Sequence, residues 1–232
     1  MKAYKTVKVF TDRFPLIGPI MWMLSVQYFL TQIFVARAWH PGYSLLQNTI
    51  SDLGNTSCGI YAGHYVCSPL HSWMNASFII LGSFMALGSL LIYQEFRERE
   101  GTLIGFSLMA IAGVGTIIVG LFPENTDATL HIIGATLPFL FGNIGLVIVG
   151  LKLFVSKNLN YYTLFSGIFS LVALAFFVSH RYLGLGIGGM ERLTAYPQTI
   201  WLIVFGIYMS KNHILKHLRA HSRKNSLLKS KI

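Results

Sequence analysis

TLIGFSLMAIAGVGTIIVGLF, residues Thr102–Phe122, runs for 21 positions without a charged side chain. An α-helix needs roughly 20 residues to cross a hydrocarbon core of about 30 Å, and this stretch has that length. Its apolarity is continuous, whereas a barrel strand alternates at period two. Outward from it, five more stretches share the pattern: Phe14–Ala36, Ser72–Tyr93, His131–Leu151, Tyr161–Ser179 and Leu193–Ser210. The expected fold class is all-α: a polytopic integral membrane protein built as a six-transmembrane-helix bundle. The chain has 232 residues, 53% hydrophobic and 11% charged, with a mean hydropathy of +0.58. That is too apolar for an ordinary soluble domain. A single membrane domain is expected over residues 1–210, with a basic tail over 211–232.

Charge sets the orientation. Lys2, Lys5, Lys8 and Arg13 precede or open the first span, and Arg97 with Arg99, then Lys152 with Lys157, occupy alternate loops. The tail from Lys211 to Lys231 is strongly basic. Positive charge marks the cytoplasmic side, so both termini are expected in the cytoplasm of a cell-membrane protein. The net charge of +10 then reflects topology and a tail suited to anionic lipid, with no nucleic-acid partner implied. His213, His217 and His221 form one helical stripe, read as a solvated juxtamembrane face. The first span resembles a signal peptide, with Ala36-Arg37-Ala38 after it. Its apolar run exceeds the roughly 7–15 residues of a signal sequence, so a retained helix is expected.

The long outer loop, Trp39 to His71, contains no Lys or Arg. Apolar residues at 45, 46, 50 and 53 have near-helical spacing, which predicts a short helix over Leu45–Leu53 that stops at Gly54-Asn55. Cys58 and Cys67, the only cysteines, lie in this loop on the oxidising side, so a disulfide is expected. The competing arrangement is a mixed zinc site of Cys58, His64, Cys67 and His71, with irregular spacing. Asn55-Thr56-Ser57 matches a glycosylation sequon. A third outer loop, Arg181 to Glu191, holds Gly184, Gly186, Gly188 and Gly189, and is read as a flexible turn.

Arg37, Asp52, Glu124, His131, His180, Arg181, Glu191 and Arg192 all fall near one leaflet boundary. Charged groups at a bilayer are costly, and those retained pair with one another or serve function. Arg37 and Asp127 read as ordinary helix-end residues. Asn75, Asn143 and Gln27 lie deeper, where side chains hydrogen-bond between helices. The sequence has no Gly-x-Ser-x-Gly, no Walker-type loop and no His-x-x-x-His inside a span. Ser51, beside Asp52, is the one hydroxyl nucleophile available at this face.

Several of these residues carry a resemblance. Asn48-Thr49-Ile50-Ser51-Asp52-Leu53-Gly54, then Asn75, Phe122-Pro123-Glu124, Leu130-His131 with Gly134-Ala135, and Glu191-Arg192 resemble the prokaryotic multi-pass family called domain of unknown function 998. The Ser-Asp and Leu-His segments are also similar to the eukaryotic DRAM and Frag/Sfk group. The resemblance implies a six-helix fold with the Ser-Asp motif in the first outer loop. Members of the eukaryotic group are associated with lipid remodelling of GPI anchors, phosphoinositide-kinase recruitment and autophagy. The Cys58/Cys67 pair and the basic tail depart from that group.

The function expected is a polar pocket at the outer mouth that binds or modifies a lipid or lipid-like substrate. In an enzyme, a lipid-directed hydrolase or transferase, His131 is the acid/base and Asp52 or Glu124 orients it, with Glu191 in the same group. Arg181 or Arg192 neutralises a phosphate or oxyanion, and His180, Ser51 and Asn75 complete the substrate-binding set. Alternatively the same charges are structural ion pairs in a scaffold or lipid-binding protein. A small-molecule transporter is a third reading, weakened by the lack of charge at mid-membrane. A His–carboxylate group of this kind is also able to hold a metal. The sequence names no cofactor and assigns no metal ligand, and the expected partners are membrane lipids.

Overall fold

The computed structural model describes residues 9, 11–40, 42–153 and 155–229, with side chains as far as residue 215. The N-terminal Lys2, Lys5 and Lys8, and the side chains of His217, His221 and the basic tail beyond, lie outside the described residues. From Ile17 on, the described residues form in order α1 (Ile17–Leu24), α2 (Gln27–Arg37), α3 (His71–Phe96), α4 (Thr102–Leu121), α5 (Ala128–Thr136), α6 (Asn143–Lys152), α7 (Lys157–Val178) and α8 (Gly186–Lys229). α1 and α2 are two halves of one span, interrupted at Ser25-Val26, where the backbone N–H groups bond three residues back. α5 and α6 are likewise halves of one span, joined by a π-helical segment over Leu137–Gly142 that contains Pro138.

Among the described residues, five helical spans are long and apolar enough to cross a membrane: Ile17–Arg37, His71–Phe96, Thr102–Leu121, Ala128–Lys152 and Lys157–Val178. The sixth expected stretch, Leu193–Ser210, sits within α8, which continues without a break into the tail. Leu30, Ile104, Phe165 and Val178 are each more than half exposed around the bundle. Such an apolar perimeter suits hydrocarbon and not water. The protein is therefore a helical membrane protein.

Inside, Trp22 packs against Phe106, Trp201 and Phe205, with Phe96 stacked on Phe106. This aromatic knot fastens α1, α3, α4 and α8. Nearer the other face polar groups replace it. Gln27 exchanges hydrogen bonds with Ser77, Tyr196 donates to Gln32, and Asn143 donates to the Thr194 carbonyl. Gln27 and Asn143 thus bond between helices as expected. Asn75 instead reaches into the outer loop. The helix starts follow local chemistry: Asp127 accepts from the Leu130 N–H and Ser156 from the Leu159 N–H, capping α5 and α7.

The outer loop departs from the predicted helix. Only Ser51–Gly54 forms a turn of 3-10 helix, while Leu45 and Leu46 are exposed and Ile50 and Leu53 are buried. Ser44, Asn48, Thr49 and Asp52 use their side chains on nearby backbone N–H groups, offering the chain an alternative to a helix. After this turn, β1 (Gly59–Tyr61) pairs antiparallel with β2 (His64–Val66), with Tyr61 opposite His64. Ala62 and Gly63 form the two-residue turn, both with positive φ, as in hairpins that follow strand twist. The disulfide Cys58–Cys67 closes the hairpin's open end, so neither thiolate is left for the zinc arrangement.

Candidate functional site

The Ser51–Gly54 turn is built by a reciprocal pair. The Thr49 N–H donates to Asp52 Oδ2 at 3.0 Å, and the Asp52 N–H donates to Thr49 Oγ1 at 3.0 Å, the logic of a capping box. Asn48 Nδ2 donates to the same Asp52 oxygen at 3.3 Å, and His64 Nε2 lies 2.9 Å from it. A carboxylate only accepts, so His64 presents N–H on its ε nitrogen. Asp52 is 1% exposed, and these donors make its burial tolerable. The ionisable partner of Asp52 is His64, delivered by the hairpin, and neither Arg181 nor Arg192.

Gly54 follows, and a larger residue there would displace the Asn75 amide from its present place. A Cβ there would collide with Asn75 Oδ1, whose amide nitrogen donates to the Gly54 carbonyl at 2.9 Å. Ser68 Oγ holds the Leu53 carbonyl at 2.7 Å. The turn is thus fixed onto the N-terminal end of α3.

This turn presents Ser51 to two other elements. His131, on α5, directs Nε2 to Ser51 Oγ at 2.9 Å and Nδ1 to the Phe122 carbonyl, also at 2.9 Å. A carbonyl cannot donate, so Nδ1 carries the proton and the neutral ring offers its Nε2 lone pair to the serine hydroxyl. Glu191, on α8, accepts from the Ile50 N–H with one oxygen and lies 3.3 Å from Ser51 Oγ with the other. His131 is 5% exposed and Glu191 4%.

Glu124 sits in the loop between α4 and α5. Burial, and then the neighbouring Asp52 carboxylate, push its carboxyl up to about 9. It is protonated at neutral pH, and Oε1 is buried without a hydrogen-bond partner. The Tyr61 hydroxyl donates to the Glu124 carbonyl at 3.0 Å, tying the hairpin to this loop. Asn125 bonds the Thr56 N–H, Thr56 Oγ1 and Ser57 Oγ in the same way.

Ser51, Asp52, His64, Glu124, His131 and Glu191 line one end of a cavity of about 760 Å³. The rest of its wall is largely apolar, with Ala135, Phe139 and Leu140 on one side and Leu171, Leu174 and Val178 on the other. α5 packs on α4, while α7 packs on α6 and α8, which leaves the space between α5 and α7 open. Ile132 and Val178, both in the lining, are 64% and 67% exposed, so the cavity opens sideways at the level of apolar helix surface. The size lies within the roughly 300–1,000 Å³ of small-molecule sites, which are mostly apolar with a few placed polar groups.

The arginines lie elsewhere. Arg192 is 7% exposed, and its guanidinium donates to the carbonyls of Leu45, Asn48 and Gly188 and to the Tyr43 hydroxyl. It fastens the outer loop to the start of α8 and does not line the cavity, because those carbonyls occupy the face expected to meet an anion. The glycine-rich loop serves the same contact. The Gly188 N–H donates to the Leu46 carbonyl at 2.9 Å, and a Cβ on Gly188 would strike the Asn48 carbonyl. His180 bonds the Tyr182 hydroxyl at 2.9 Å, and His180 and Arg181 are both exposed and outside the cavity lining. Among the described residues, no group of three or more His, Cys, Asp or Glu side chains is arranged to hold a metal.

His64 and Tyr61 enter the site without a sequence signal for that place. His64 had figured only as a zinc ligand.

A family profile described as "Protein of unknown function (DUF998)" matches residues 23–208. The chain belongs to this family. The match takes in every residue of the site, from Ser51 to Glu191. No curated protein matches the chain. No solved structure matches it either.

Proposed function

We propose that this DUF998 protein binds a lipid-like acyl substrate in the lateral cavity and cleaves or transfers its acyl group, with Ser51 as nucleophile and His131 as base. The observation that carries this reading is the 2.9 Å contact between Ser51 Oγ and His131 Nε2 at the polar end of an otherwise apolar cavity. A serine hydroxyl is a weak nucleophile until a base within hydrogen-bond reach takes its proton. The Phe122 carbonyl supports this by fixing the His131 tautomer, the orienting role first assigned to Asp52 or Glu124.

In the proposed reaction Ser51 Oγ forms a bond to the substrate carbonyl carbon as its proton passes to His131 Nε2. The protonated imidazole then gives that proton to the departing alcohol or amine, whose bond to carbon breaks. A water, or a second alcohol, attacks the acyl-serine, again losing its proton to His131; the bond from the acyl carbon to Ser51 Oγ then breaks, and His131 returns the proton to that oxygen. Protonated Glu124 supplies an O–H at the same end, suited to the developing negative charge on the carbonyl oxygen. Six spans, with α8 as the last, and both termini in the cytoplasm belong to this proposal, since they put the disulfide loop and the cavity on the outer side.

A second reading, lipid binding without turnover, draws on Glu191. It accepts from the Ile50 N–H and stands as a second acceptor for the single Ser51 proton, in competition with His131. A fluorophosphonate probe separates the two. Labelling of wild-type protein at Ser51, absent in Ser51→Ala and slowed at least about a hundredfold in His131→Ala, is expected of an activated serine. Wild-type protein that is folded, unlabelled and leaves co-purifying lipids chemically unchanged would favour binding alone.

A further inference from the structure

The polar end of the cavity has an unusual balance for a lipid site. Asp52, Glu124 and Glu191 face it together with His64 and His131, and among the described residues no Lys or Arg lines it. The nearest candidates are committed or remote. Arg192 is spent on three backbone carbonyls and Tyr43. Arg181 and Arg37 are exposed and outside the lining. A phosphate brought in beside the reacting carbonyl would meet the Asp52 and Glu191 carboxyl groups in a weakly polar enclosure, with the neutral Glu124 O–H as one donor and no guanidinium or ammonium to oppose its charge. Hydroxyl and amine groups meet the reverse situation, since Asp52, Glu191 and Ser51 offer acceptor oxygens and a protonated amine would be drawn to the carboxylates.

We propose that the cavity selects acyl lipids whose head is neutral or cationic, carrying hydroxyl or amine groups and no phosphate, and that the acidic lining is the selectivity filter. This rests on the reading of the cavity as a lipid site but not on the chemistry of Ser51. The acyl chain lies along Phe139, Leu140, Leu171 and Leu174 and reaches the cavity sideways past Ile132 and Val178. The head group meets Asp52 and Glu191. Phosphate-bearing lipids, the bulk of a bilayer, are thereby kept out of a site that opens into it.

Binding measured with the Ser51→Ala protein in detergent tests this without turnover. Three probes share one acyl chain: a monoacylglycerol, an N-acyl diamine and a lysophosphatidate. The expected result is that the first two bind at least about tenfold more tightly than the third at neutral pH. Thr136→Arg, which adds a cation to the lining, is expected to reverse that order by raising affinity for the lysophosphatidate. Equal or tighter lysophosphatidate binding by the parent protein would overturn the selectivity proposal. Binding of none of the three would overturn the lipid-site reading beneath it. Neutral-head binding by this variant, with wild-type protein unlabelled by the fluorophosphonate at Ser51, would leave the selectivity standing and remove only the nucleophile.

Discussion

Glu124 shows how one residue's surroundings turn a surface-type side chain into a site group. Its ordinary carboxyl value of 4.5 rises to about 9 because it is buried and faces Asp52. The folded chain therefore holds a proton that the unfolded chain releases. The resulting stability is fully present below about pH 4.5 and is lost as pH rises from there through about 9. Glu124→Gln keeps the shape of the protonated acid and removes this linkage. Its thermal midpoint in detergent should match wild type in acid, then exceed it by a margin that widens from about pH 5 to about pH 8. A constant margin across that range would mean that Glu124 is ionised in the folded protein. Arg192 makes the complementary point. Sequence grouped it with the other charges at one boundary but could not show that loop carbonyls would claim its donors.

At the scale of elements, the helices were legible and the loop was not. Twenty-residue apolarity depends only on composition along the chain, so α3, α4 and α7 lie where their residues put them. The outer loop is governed by side chain to backbone bonds and by strands of three residues, too short to carry a period. Its turn residue Ala62 gives no hairpin signal, yet it takes positive φ. His64 reaches Asp52 only through the hairpin register, which places it opposite Tyr61. The disulfide fixes that hairpin, and cross-linking so short a loop stabilises by about 2–3 kcal/mol. Replacing both Cys58 and Cys67 with Ser is expected to leave the helices folded while loosening the hairpin and freeing His64. Hydrogen exchange should then rise at residues 59–66, with α3 and α4 amides unchanged. Uniform exchange across the whole chain would mean that the loop holds the bundle together.

Over the whole molecule, the site joins segments that no local reading connects. Ser51 and His131 are 80 positions apart, and Ser51 and Glu191 140 apart. Sequence brought them to a common face through alternation of loops, and that face alone was readable; the distances depend on helix packing. The arrangement requires the loops bearing Cys58, Glu124 and Leu183 on one side and those bearing Arg99 and Lys157 on the other. Basic residues favour the cytoplasm for the second set, because moving them across a bilayer during insertion is costly. Single cysteines test this in intact cells, since Cys58 and Cys67 are consumed in their bond. Leu183→Cys, 68% exposed in the parent, should react with a membrane-impermeant maleimide, and Lys157→Cys only after permeabilisation. The reverse pattern would put the cavity mouth in the inner leaflet. Substrate would then come from the cytoplasmic lipid pool, and the disulfide would face a reducing compartment where such bonds do not persist.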